Sequence, residues 1–429
     1  MPTASALEAT ARAAFAATFG GQPPVIARAP GRVELLGNHT DYNGGLIMSA
    51  AINRFTVVAG RAVPGRVARV RSVQLDQEDE FLIDAITPTE PGSWSRYVRG
   101  VCWVLSEQSR EAGKPGWPCG PLASGFEAVI LGDVPLGAGL SSSASLQAAL
   151  ATFLLGAGLV RPDPATADEA PRMGLAASLR RSENEFVGVG SGIMDQFSSL
   201  FGRADHALRL DCRDLSHEAL PLGDPAPAIV VCDSKTSRRL ADGMYDRRKA
   251  ECDAVVAWFQ AQGARPSIGS LRDLTLAELE AAWDRLNPVG RKRARHVLTE
   301  NDRVLRGADA LRRGDVAAFA RLMSESHASS RADFENSSPA LDALIEAAAE
   351  SPGFLGGKLS GAGWAGCTVN LVEMSQTGAF AESVKSAYAR RTGLVPEIHI
   401  CRAAEGAGLQ GSAATRCEVS APGGQGPIW

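Results

Sequence analysis

The sequence has little that would place it in a membrane, on nucleic acid or in an oxidising compartment. Its strongest apolar stretch, residues 146–160, falls short of the ~20 residues a bilayer demands. It is also broken by Gln147 and two glycines, so it reads as a buried helix. The first twenty residues lack a basic segment followed by an apolar core and a cleavage site, and their spaced Ala, Leu and Phe suit an amphipathic helix. Neither sign of charge dominates: 44 Lys+Arg against 48 Asp+Glu leave a net −4. Without a basic excess, no chain-wide counterion release would drive binding to nucleic acid. The eight cysteines form no CxxC pair and have no histidine array near them, which disfavours a zinc site and a disulfide scaffold. Lysine is scarce, six of the 44 basic residues, which reflects compositional habit rather than chemistry. The expectation is a cytoplasmic protein without membrane or nucleic-acid partners, monomeric or weakly self-associating.

At 429 residues the chain has room for two or three domains. The first quarter alternates short β-branched runs with turns. Residues 161–172, RPDPATADEAPR, form a Pro- and Asp-rich break. From Thr236 to about Glu350 the pattern is mostly helical, and strands return near the end. This mixture predicts an α/β or α+β protein with two lobes meeting near residue 220. The residues from Glu405 onward are rich in Gly, Ala and Ser and read as a flexible tail.

Three clusters carry chemistry. The loop PLGAGLSSSAS, from Pro135, lies between a strand and a helix. Its glycines let backbone N–H groups curl inward, and the helix start adds partial positive charge, which makes an anion cradle. No Lys follows, so this is not a Walker A motif; a plain Gly/Ser connector has the same composition. The polar turn GNHTDYNGG follows the strand VELL and offers donors and acceptors suited to a polyhydroxylated ligand, or a solvated turn. The third, GAGWAG at 361–366, matches GxGxxG, yet a strand follows it where a dinucleotide fold needs a helix. A tight approach to that strand, close to a ligand or a neighbouring helix, fits better. Two acids stand apart from these clusters: Glu183 in a helical stretch and Asp195 among apolar residues, each open to a role as a cap or an ion pair. The basic run 291–296 reads as a solvated helix face.

Taken together, GRVELLGNHTDYNGG, PLGAGLSSSAS and KLSGAGWAGCTV have the order and spacing of the three motifs of the GHMP small-molecule kinases, and within that superfamily the chain resembles the galactokinases. The resemblance runs from about residue 7 to 403. It implies a two-lobed α+β GHMP kinase fold with the active site in the cleft, an N-terminal domain over 1–220, a C-terminal domain over 221–404 and a tail over 405–429. The implied activity transfers the γ-phosphoryl group of ATP to the anomeric hydroxyl of galactose. By motif position, Gly137, Ala138, Gly139, Leu140, Ser141, Ser142 and Ser143 would wrap the nucleotide, with Ser72 touching it. Ser143 and Glu183 would ligate Mg²⁺. Asp195 would accept or orient the proton of the attacking hydroxyl, and Arg32 would stand beside it to stabilise developing charge. Asn38, His39, Asp41 and Tyr245 would bind the sugar.

One departure matters. Galactokinases usually carry Glu where this chain has Asn38, near C6 of the sugar. Losing one charge-assisted hydrogen bond costs roughly 1.5–3 kcal/mol if nothing compensates. A related sugar such as galacturonate, L-arabinose or N-acetylgalactosamine therefore stands beside galactose; a separate alternative, of a different class, is a non-catalytic sensor of galactose and ATP. Sensors of that kind tend to lose residues of the serine loop, and Ser143-Ala144 is intact here.

Overall fold

The computed structural model describes residues 4–106, 121–160, 171–236, 243–263 and 265–410. Runs of β-branched and small apolar residues form the central strands β1 (Val25–Leu36), β2 (Leu46–Val63), β3 (Val67–Ser72) and, after the more polar β4 (Gln77–Leu82), β5 (Gly125–Gly132); the mixed strands β6 (His206–Asp211) and β7 (His217–Pro221) follow. After them come β8 (Ala228–Asp233), β9 (Phe354–Leu359), β10 (Cys367–Val372), β11 (Glu397–Cys401) and β12 (Gly408–Gln410). The first sheet runs β12-β1-β2-β5-β3-β4, and β6 and β7 extend it from β2. The second sheet runs β11-β8-β10-β9. The sequence reading expected a tail from Glu405, but residues 408–410 pair with Ile26–Arg28 of β1, and the backbone N–H of Gly406 donates to Gly202 O at 2.8 Å. Residues 411–429, and most of the Pro- and Asp-rich break, lie outside the described residues.

The helices are α1 (Ala4–Phe19), α2 (Trp94–Val104), α3 (Ser142–Gly156), α4 (Pro171–Arg181), α5 (Met194–Phe201), α6 (Met244–Ala261), α7 (Leu276–Ala281), α8 (Pro288–Arg312), α9 (Val316–Ser329), α10 (Pro339–Ala349) and α11 (Thr377–Thr392). Alternation along the strands decides which helices they meet. Ile26, Val57 and Ala59 bury against Leu7 and Phe15 of α1. Ala27, Ala29 and Val58 face α2–α5 on the opposite side. A third cluster joins the lobes: Val33, Leu35 and Ala50 pack with Ile229 of β8, Val304 of α8, Phe319 of α9 and Leu371 of β10. On the far side of the second sheet, Val230 and Val372 meet Leu344 of α10 and Phe380 of α11.

The feature that shapes the site is an irregularity in β1. Its pairing with β2 shifts between Pro30 and Gly31, from Pro30 opposite Phe55 to Gly31 opposite Ile52. Such irregularities re-aim side chains. Before it the odd residues Ala27 and Ala29 face the helices; after it the even residue Arg32 does, and the odd residues Val33 and Leu35 enter the cluster between lobes. Only a glycine fits here, since a Cβ on Gly31 would lie 2.7 Å from the carbonyl oxygen of Leu140.

Candidate active site

Arg32 reaches from β1 to the first turn of α5. Its Nε donates to Asp195 Oδ1 and its Nη2 to Oδ2, each at 2.7 Å, in the two-pronged geometry that guanidinium and carboxylate favour. The remaining Nη1 donates to Gly139 O at 2.6 Å, which ties the glycine loop to the same arginine. Arg32 is 7% exposed and Asp195 25%, so the carboxylate is the member of the pair that opens to the cleft.

The serine loop adds to this. Ser141 precedes α3 with a left-handed φ of 58°, and its side chain makes no cap for the helix. Its hydroxyl donates to Asp195 Oδ2 instead. The first-turn N–H groups of α3 have no partner within the helix and receive none from Ser141, so they remain for an external anion. Gly137 and Gly139 hold φ of 74° and 75°, and Gly137 has nothing within 4 Å of where a Cβ would be. Beside the loop opens a cavity of about 1110 Å³ lined by Ser72, Trp94, Tyr97, Ser142, Ser143 and Leu146, among others. That is above the ~300–1,000 Å³ typical of small-molecule sites, so it has space for a nucleotide.

Glu183 stands one step further along. It follows α4 in a π-helical turn, Ser182–Val187, of the kind often found at functional sites. Its Oε1 lies 3.3 Å from Ser143 Oγ, and its Oε2 accepts from Ser191 at 3.1 Å and Gln196 at 2.5 Å. Burial, then the charge of Asp195, raises its pKa, and no protein cation pairs with it among the described residues. Nor do those residues hold a cluster of three or more His, Cys, Asp or Glu fit for a metal. Two hard oxygens beside an anion cradle, with excess negative charge, suit a divalent cation whose other ligands come from phosphates.

The sugar turn divides in two. The side chain of Asp41 lies in the cleft near Asp195 and Glu34, and burial, with those charges adding to it, raises its pKa to about 6. Gly192 leaves space for this carboxylate: a Cβ there would fall 1.9 Å from Asp41 Oδ2. Tyr245, in the first turn of α6, lies beside it with its phenol pKa pushed up by burial and by Asp41 and Asp195. Asn38 and His39, in contrast, are occupied by the protein. Asn38 Nδ2 donates to Glu34 and to Gly361 O, and its Oδ1 accepts from Asn336 at 2.9 Å and Ser330 at 3.4 Å. His39 Nε2 donates to Ala362 O at 2.9 Å, so Nδ1 accepts from Tyr42 Oη. Burial lowers the pKa of His39 to about 3, so the ring is neutral. The GxGxxG segment therefore passes close to the sugar turn itself.

The basic run departs from the reading of a solvated face. Arg293 is 2% exposed and bonds to Glu251, Asp333 O and Glu335; buried His296 donates to Asn38 O at 3.0 Å. Four residues on, the enclosed Glu300 accepts from the backbone N–H of Gly37 at 2.9 Å and of Asn38 at 3.2 Å. Helix α8 is thus the back wall of the sugar turn.

Known proteins match this arrangement. Residues 13–62 match the galactokinase galactose-binding signature, 96–203 the GHMP kinases N terminal domain and 308–390 the GHMP kinases C terminal. A curated galactokinase from Roseiflexus sp. (strain RS-1) is 45% identical over 398 residues, covering 92% of this chain and 96% of its own. The chain belongs to the galactokinase family. Homo sapiens galactokinase is 40% identical over 95% of this chain and 97% of its own length. The crystal structure of Lactococcus lactis galactokinase complexed with galactose superposes with a TM-score of 0.81 at 31% identity, over 94% of this chain and 99% of that one. Methanococcus jannaschii mevalonate kinase, at 16% identity and a TM-score of 0.57, shares the fold. Membership makes the chain a sugar-phosphorylating enzyme of the two-lobed GHMP architecture. Among its described residues no helix is long and apolar enough to cross a membrane.

Proposed function

We propose that the protein transfers the γ-phosphoryl group of ATP to the anomeric hydroxyl of D-galactose. The observation that carries this reading is the meeting of Arg32, Asp195 and Ser141 at the uncapped start of α3. Phosphoryl transfer proceeds through a loose transition state, so the protein's task is to position reactants and offset charge. The glycine loop and the first turn of α3 would receive the phosphates, with the nucleoside in the cavity lined by Ser72. Ser143 and Glu183 would hold Mg²⁺, which when bound neutralises phosphate charge. Asp195 would orient the sugar hydroxyl and take its proton. Arg32 and Ser141 would fix the carboxylate's direction, and Arg32 would also stabilise charge on the transferring group. Asp41 and Tyr245 would bind sugar hydroxyls.

ADP release coupled to a reporter reaction, measured across sugars, tests this. Galactose-dependent turnover of about 1–100 s⁻¹ is expected, with Asp195→Asn lower by about 10²–10⁴-fold. Absence of sugar-dependent turnover, or an Asp195→Asn variant as fast as the parent, would overturn the reading. The first result would leave the sensor in its place.

A further inference from the structure

The strand that leads into the sugar turn holds a buried carboxylate, Glu34. Glu34 lies two residues beyond Arg32 on β1, hence on the same face and one pleat repeat, roughly 6.5 Å, further along. Its partner across the sheet is Ser49, whose hydroxyl meets Ser198 of α5 at 2.6 Å. So Glu34 and Arg32 both look toward α5. Glu34 is 4% exposed. One oxygen, Oε1, is held by Lys358 Nζ at 2.6 Å and Asn38 Nδ2 at 2.9 Å. Lys358, fully buried in β9, also donates to Leu359 O at 2.8 Å. The other oxygen, Oε2, receives no hydrogen bond from the described residues, and it is not among their enclosed, unpartnered polar atoms. It borders open space. That space lies on the face of β1 from which Arg32 reaches Asp195, and the charge of Glu34 adds to the raised pKa values of Asp41 and Tyr245.

We infer that Glu34 is a sugar-binding residue: its Oε2 accepts a hydrogen bond from a hydroxyl on the far side of the hexose from the reacting anomeric carbon. Asn38, with all its polar atoms occupied, is a positioning residue that acts through Glu34, as is Lys358. Strand geometry gives the assignment its direction. Arg32 marks the reacting end, and Glu34 sits one repeat away, a spacing comparable to the width of a pyranose ring. The carboxylate missing at position 38 is thereby supplied from position 34, and its negative charge disfavours a sugar acid and favours a neutral hexose.

This inference rests on the galactose-kinase reading, and the test separates the two. kcat/KM is measured for galactose, for its 2-, 3-, 4- and 6-deoxy analogues and for galacturonate, in the parent and in Glu34→Gln. Glu34→Gln leaves Lys358 buried without its partner, so the double variant Glu34→Gln/Lys358→Met, which removes both charges, accompanies it. Glu34→Gln is expected to lose about 10- to 100-fold on galactose, chiefly in KM. One deoxy analogue, poor in the parent, then loses no further activity in the variants, and discrimination against galacturonate shrinks. If every deoxy penalty is the same in parent and variants, Glu34 merely braces the fold and the inference fails. If the parent does not turn over galactose at all, the activity reading itself fails.

Discussion

Asp41 is held where its charge is costly and useful. Its pKa is raised to about 6 by burial, with Glu34 and Asp195 adding to it. A carboxyl that binds protons more tightly folded than unfolded stabilises the fold when protonated, and that contribution fades as pH rises from about 4 through about 6. Ligand binding runs the other way, since the ionised form is the better acceptor for sugar hydroxyls. The KM for galactose should therefore climb as pH falls below about 6, while the KM for ATP moves little. Asp41→Asn should remove that pH dependence, raise the galactose KM at least tenfold and raise the thermal midpoint at pH 7 by a few degrees. Initial rates across pH, with scanning calorimetry, check all three.

At the scale of elements, the sugar turn depends on walls supplied from afar. Gly192 bounds Asp41 from the turn before α5, and a methyl group there would collide with Oδ2. Gly192→Ala should raise the galactose KM by an order of magnitude or more and leave ATP binding, read by nucleotide titration, near the parent value. Helix α8 acts through Glu300, whose Oε2 pairs with Arg303 at 2.6 Å while Oε1 holds the backbone of Gly37 and Asn38. Burial alone would push this acid up, but Arg303, then His296 and Lys358, hold it at about 2. Its stabilising contribution is present above about pH 4.5 and lost as pH falls toward 2. Glu300→Gln should cost about 3–5 kcal/mol at neutral pH by denaturant titration, less as the pH falls through that window.

What the sequence made legible divides along the same lines. Arg32, Asp195 and the serine loop, which the structure brings together, could be picked out because short local motifs carry them, and the mixed α+β class followed from the change in pattern along the chain. Glu34 could not be read. A strand residue beside an apolar run looks like a solvent-facing member of the alternation, and only the shift at Pro30–Gly31 decides its side. Glu300, Lys358 and Arg293 were hidden for another reason: most of their partners are hundreds or tens of positions away, and neither a charged helix face nor a lone lysine in a strand shows any sign of being buried.

At the scale of the whole molecule, the chain closes on itself. After serving the second sheet, it returns to the first as β12, where Leu409 covers Gly156 at the end of α3. A chain ending after Ala404 should therefore melt several degrees below one ending after Gln410, by calorimetry, and lose ATP affinity through the loosened helix. The cluster of Val33, Leu35, Phe319 and Leu371 binds the two lobes into one apolar body, so they should unfold in a single transition.

The shift in β1 also bears on how this enzyme can be altered. A strand has a reading frame of two, and here the frame changes within a single dipeptide. Deleting one residue between Ala29 and Arg32 would present Val33 to Asp195 and turn the arginine toward the hydrophobic junction of the lobes. Point substitutions in the cleft adjust affinity by degrees; a one-codon slip at this place would exchange the reactive side of the strand for its inert side.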